Sequence, residues 1–179
     1  CRLRAGYAFR RLGRPAEAVA ILSAAMPEFE EHFDEVDLAE ARRLYGTCLV
    51  GTGEHRQAAQ VLLAAAATVA DWPDQTMHAM LAHEAASALE SAGMAAEAGR
   101  AYQRAAELWR GLDIVESAVR AVRGAAWLLT RADGDGAGAD WPGALAAMDA
   151  ALAEIDTAIA ALTTVAAAGQ ADSGDRADS

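Results

Sequence analysis

The chain of 179 residues has no lysine and no asparagine, so all 15 of its basic residues are arginine. This bias reads as the imprint of a GC-rich genome, and it removes the lysine that a phosphate-binding loop requires. Aromatic residues make up only 6% of the chain while alanine abounds, which fits close-packed helices better than sheets. Two cysteines cannot build a disulfide framework, and Cys48, set among Leu44, Leu49 and Val50, reads as a buried free thiol. No apolar run long enough to span a bilayer escapes interruption by charge, and no signal peptide precedes the first helical pattern. The expected setting is cytoplasmic, with no membrane partner. A net charge of −11 also argues against general binding to nucleic acid.

What the chain does have is a pattern that returns every forty residues: Gly6, Gly13, Ala18, Leu22 and Ala25 become Gly46, Gly53, Ala58, Leu62 and Ala65, then Ala86, Gly93, Ala98, Tyr102 and Ala105. A fourth copy keeps Ala126 and Leu129 in register but displaces Ala144, Met148 and Ala151 by six residues, which marks an insertion. A period of this size means stacked helical units that share a continuous core. The counterpart of Asp37 to Ala41 is missing before the first copy, so the chain is expected to start part-way through a helix, as a fragment of a larger bacterial protein.

Local signals place the elements. The first helix is expected over 2–12 with Gly13 as its left-handed end, and Pro15 opens the next, which closes near Phe33. Asp37 is the expected N-cap of a helix through Thr52, with Glu40 three residues on, and Gly53 ends it. The next helix closes near Trp72, further helices are expected over 75–91 and 95–110, and Asp113 is expected to cap one over 114–131. Residues 132–141 read as a glycine-rich loop, 142–168 as a long capping helix with an apolar seam, and 169–179 as a disordered polar tail.

The small residues at Gly6, Gly46, Ala86 and Ala126, the large ones at Phe9, Leu49, Leu89 and Leu129, the turn glycines, and Ala18, Ala58, Ala98 and Ala144 opposite resemble the tetratricopeptide repeat, in a long-period form. The resemblance covers 1–168 and implies an all-α, right-handed superhelical array of about four antiparallel helix pairs. It implies a non-catalytic module that binds a peptide or protein segment on the face of its first helices. Matched to the glycine or alanine of each unit, the implied binding positions are Tyr7, Arg43 with Thr47, His83 with Ser87, and Arg123 with Trp127. The version of the family that clamps a terminal carboxylate uses lysine and asparagine, which this chain lacks.

Arg2, Arg4, Arg10, Arg11, Arg42, Arg43, Arg120, Arg123 and Arg131 fall on first helices, whereas most acidic residues fall elsewhere. One reading is a basic inner face suited to an acidic segment; the other is that these arginines pair with neighbouring carboxylates. The alternative function is a sensor array that binds a small molecule or signalling peptide and controls an attached effector, for which an enclosed apolar cavity would speak.

No cofactor, metal or catalytic set is expected. His78 and His83 are five residues apart, which turns them to different faces of one helix. His83 and Glu84 lack a nucleophile or oxyanion donors. The loop with Asp133, Asp135 and Asp140 has Ala137 and Ala144 where calcium would need oxygen ligands. The seam from Leu145 to Leu162 either packs as a cap on the preceding helix, leaving a monomer, or pairs two chains through 145–162.

Overall fold

Left-handed turns set the architecture. The computed structural model describes residues 2–130 and 140–175, with side chains described as far as 160 except at 158. Its helices are α1 (Arg2–Arg11), α2 (Pro15–His32), α3 (Glu35–Thr52), α4 (His55–Thr68), α5 (Thr76–Ser91), α6 (Ala95–Gly111), α7 (Val115–Leu129) and α8 (Trp141–Asp175). Among the described residues there is no strand, and each helix packs on the next. Gly13, Gly53 and Gly93 end α1, α3 and α5 with φ of 69°, 85° and 75°. Beyond them the amides of Arg14, Glu54 and Met94 donate to the carbonyls of Phe9, Leu49 and Leu89, each at 2.9 Å. This is the six-to-one bond that closes a helix around a residue in the left-handed region.

Within a pair, a glycine on the first helix receives a leucine from the second. A Cβ on Gly6 would lie 2.8 Å from Leu22 Cδ2, and one on Gly46 would lie 2.7 Å from Leu62 Cγ. Ala18, Ala58 and Ala98 on the second helices are fully buried, and these small side chains let the helix axes approach. The core continues from pair to pair through Leu44, Leu49, Leu81 and Ala121.

Several ends depart from expectation. The N-cap of α3 is Asp34, whose carboxylate accepts from the Asp37 amide at 2.8 Å, so Asp37 lies inside the first turn. The preceding residue, Phe33, stacks on Phe29 with ring centroids 4.5 Å apart, and this fixes where α2 stops and the cap begins. α4 stops at Thr68, four residues before Trp72, and Val69 turns into the core. Asp113 does not cap α7: it sits at φ 57° as the left-handed end of α6, while the Ile114 amide donates to Trp109 at 3.0 Å. Aspartate thus fills the role that glycine has in the other three turns. α8 runs to Asp175, through part of the segment expected to be a tail. Cys1 and the aspartates at 133 and 135 lie outside the described residues, and so does the loop expected over 132–141 except for Asp140 and for Trp141, which opens α8. Cys48 is buried and free, and burial raises its thiol pKa.

Candidate peptide-binding face

Polar side chains tie three of the first helices, α1, α3 and α5, together. Tyr7 on α1 donates its hydroxyl to Glu40 on α3. Glu40 in turn takes both sides of the Arg43 fork, from Nε at 2.7 Å and Nη2 at 3.0 Å. Arg43 Nη1 then reaches Glu84 on α5 at 3.2 Å. A single line of contacts, Tyr7–Glu40–Arg43–Glu84, therefore crosses from the first pair to the third. The period makes this possible, because Arg43 and Glu84 stand 41 residues apart, close to one repeat.

Burial shapes the charges along this line. Desolvation and the Glu40 hydrogen bond push the Tyr7 phenol up to about 12. Burial opposes ionisation of Glu40, but hydrogen bonds from Arg43 and Tyr7 outweigh it and hold the carboxyl below its ordinary value. The Glu40 hydrogen bond raises Arg43 in spite of its desolvation. Glu84 goes the other way: burial raises it, and Arg43 only partly compensates. Its second oxygen, Oε2, is buried with no hydrogen-bond partner among the described residues.

The remaining expected positions are placed as follows. Thr47 gives its hydroxyl to the Leu44 carbonyl at 2.9 Å. His83 is half-buried, edge-on to Tyr102 at 5.4 Å, and burial followed by the charge of Arg120 lowers its pKa. Ser87 and Arg123 are exposed, and Trp127 is 53% exposed. The structure thus joins Tyr7 to Arg43, sets His83 beside Glu84 in sequence, and leaves Arg123 and Trp127 on α7.

The first-helix arginines divide into two groups. Arg2 pairs with Glu28, Arg42 with Glu30 at 2.9 Å, Arg43 with Glu40 and Glu84, and Arg120 with Glu116 at 2.6 Å. Arg4, Arg10, Arg11 and Arg123 make no ion pair among the described residues, and Arg131 lies outside them.

No family model matches the sequence, and no curated protein matches it. Solved structures do. A kinesin light chain of Podosopora anserina, described as having nearly identical TPR-like repeats, aligns with a TM-score of 0.56 at 15% identity over 92% of this chain and 90% of that one. A single-substitution variant of it aligns with a TM-score of 0.57 at 15% identity over 92% and 89%. The fold is a TPR-like helical array. At this identity the likeness concerns the backbone arrangement and carries no partner with it.

In this TPR-like array Glu40 and Glu84 hold Arg43; the sequence reading left open that these arginines pair with neighbouring carboxylates, but gave Glu40 only as part of a cap and Glu84 only beside His83. The i, i+3 spacing of Glu40 and Arg43 was a usable signal. The Glu84 contact crosses between units and had no local trace. Also missed was Gly124 on α7, where a Cβ would lie 2.8 Å from the Tyr102 ring. Among the described residues no group of acidic, histidine and cysteine side chains is arranged to hold a metal, and no helix is long and apolar enough to cross a membrane.

Proposed function

We propose that this chain is a non-catalytic interaction module that takes a peptide or protein segment along the face shared by α1, α3, α5 and α7. The observation that carries this reading is the line Tyr7–Glu40–Arg43–Glu84, which fixes side chains of successive units before any ligand arrives. Groups already held in place lose little freedom on binding, so contact energy is not spent on ordering them. Tyr7, Arg43, Thr47, His83, Ser87, Arg123 and Trp127 are the proposed contacts, with Trp127 as the aromatic anchor. Two carboxylates neutralise Arg43, so a preference for acidic segments rests on Arg10 and Arg123. A cleft of about 510 Å³ between α6 and α8 carries Arg110, Asp113 and Glu154 on its wall, which favours surface recognition over an enclosed sensor pocket.

The test is fluorescence anisotropy with labelled extended peptides of one length and acidic, neutral or basic composition. Acidic peptides should bind best, and Arg123→Glu or Trp127→Ala should weaken them about tenfold, with Arg123→Glu leaving the melting temperature unchanged. Equal binding of all three compositions, untouched by either substitution, would remove the proposal.

A further inference from the structure

Four departures from the repeat meet in one cleft. α4, α5 and α6 line a space of about 410 Å³ that touches α5 at Ala82, two residues from Glu84 and so on the opposite side of that helix. The other copies serve as internal controls, with Ala98 aligned to Ala18, Ala58 and Ala144, and Ala86 to Gly46 and Ala126. From α5, His78 holds the register of Leu38 and Ala118. From α4, Leu63 holds the register of the polar residues Ser23, Gln103 and Asp149, and it is 44% exposed. From α6, Arg100 replaces Ala20, Gln60 and Ala146, and Arg104 replaces Ala24, Ala64 and Ala150. Ala82 stands where α1 and α3 carry Arg2 and Arg42, so no long side chain from that position fills the space. Stacking of the units does not require these changes, since the other copies pack without them.

The histidine is oriented before any ligand arrives. Gln75 donates its side-chain amide to the carbonyls of Ala70, at 3.0 Å, and Trp72, which leaves its Oε1 as an acceptor. His78 Nδ1, 2.9 Å from that oxygen, therefore carries the proton, and Nε2 of the neutral ring is an acceptor. The side chain is only 8% exposed, and burial followed by the charge of Arg104 lowers its pKa, with Asp71 opposing, so the ring is neutral at pH 7. Arg100 and Arg104 stand one turn apart on α6. Arg104 meets Glu107 at 3.3 Å in an exposed pair, which yields to a competing anion at little cost. Glu97 also lines the cleft, so its charges sum to one positive, which suits a monoanion better than a phosphate dianion.

From this convergence we infer that the cleft is a binding site for a small organic acid with an apolar body and a hydrogen-bond donor. The carboxylate lies on Arg100 and Arg104, the apolar body covers Leu63 and Ala82, and the donor meets Nε2 of His78. The volume falls within the range of about 300–1,000 Å³ that small-molecule sites occupy. The site stands apart from the peptide-binding face, because none of these residues belongs to the Tyr7–Glu84 line or to its proposed contacts.

The probes are indolepropionic acid, its N-methyl derivative, which lacks the donor, and tryptamine, which carries the opposite charge, each titrated into the whole chain by calorimetry. Indolepropionic acid should bind at one site with millimolar or better affinity, and the other two at least about tenfold more weakly. Arg104→Ala, which restores the residue of α2 and α4, should weaken the acid about tenfold without moving the melting temperature. His78→Leu, which restores the residue of α3, should abolish the preference for the acid over its N-methyl derivative. Arg123→Glu should leave binding of the acid unchanged, which separates this site from the peptide-binding face. No binding of the acid at millimolar concentration, equal binding of all three probes, or binding untouched by Arg104→Ala overturns the inference.

Discussion

The ring of Tyr102 occupies the space that a side chain on Gly124 would need: a Cβ there would stand 2.8 Å from Cζ and 2.9 Å from Cε1 and Cε2. Tyr102 holds the position that Leu22 and Leu62 hold in earlier pairs, and its greater length carries it across to the next first helix. Its hydroxyl donates to Glu90 at 2.9 Å, so the ring cannot withdraw freely.

Gly124→Ala is therefore expected to destabilise the fold by about 1–2 kcal/mol, since overpacking against an anchored ring exceeds the gain in helix propensity. In a Tyr102→Leu background the same change should be neutral or stabilising. A double-mutant cycle in urea checks this, and additive effects would contradict the contact.

Asp113 is the one described non-glycine residue with positive φ, at 57°. Asp113→Gly should stabilise the protein by about 0.5–1 kcal/mol, because relief of the left-handed strain exceeds the added freedom of the unfolded chain. Asp113→Ala should lower stability instead. The urea midpoints of the two variants should fall on opposite sides of the parent.

Arg43 stands between Glu40 and Glu84, with each of the three side chains only 21–27% exposed. Arg43→Ala should cost about 1–3 kcal/mol, between the small effect of a surface pair and the large one of a buried pair. Adding Glu84→Gln should recover part of that loss, since it removes a charge that burial already disfavours. Thermal melts of the two variants decide the matter, and no recovery would mean that the α3–α5 contact is not electrostatic.

Burial lowers the pKa of both His78 and His83 in the folded protein. The unfolded chain then takes up protons first as pH falls, so stability conferred by neutral histidine is lost on acidification. The loss begins near the ordinary value of about 6.5, runs to the lowered folded value and then levels off, with a slope of up to about 1.4 kcal/mol per pH unit for each histidine. Glu84, whose folded pKa is raised, acts in the opposite sense, so the informative quantity is the difference between parent and His83→Gln. Urea midpoints from pH 7.5 to 5.5 should fall less steeply in the variant.

The forty-residue period, the all-α class and the turn glycines were legible in the chain because each follows from local spacing, whereas Gly6 and Gly46, expected to face Ala18 and Ala58, receive Leu22 and Leu62. The expected contact positions were named from the same register, but not what holds them. Asp37 was read as a cap in place of Asp34, and Asp113 as the start of α7 in place of the end of α6. Both residues lie within a few positions of two competing ends, and φ decides between them.

The sequence alone determined periodicity, helix content and the recurring small positions of each pair, since these depend on residues a few positions apart or one repeat apart. Only the tertiary structure decided which arginines are already paired, that Glu84 meets Arg43, that Tyr102 needs Gly124, and that Leu145 and Leu152 face outward. Those outcomes depend on which helix lies across from which, and on how closely. That choice belongs to the packing of all the pairs together, where burial and charge are settled jointly.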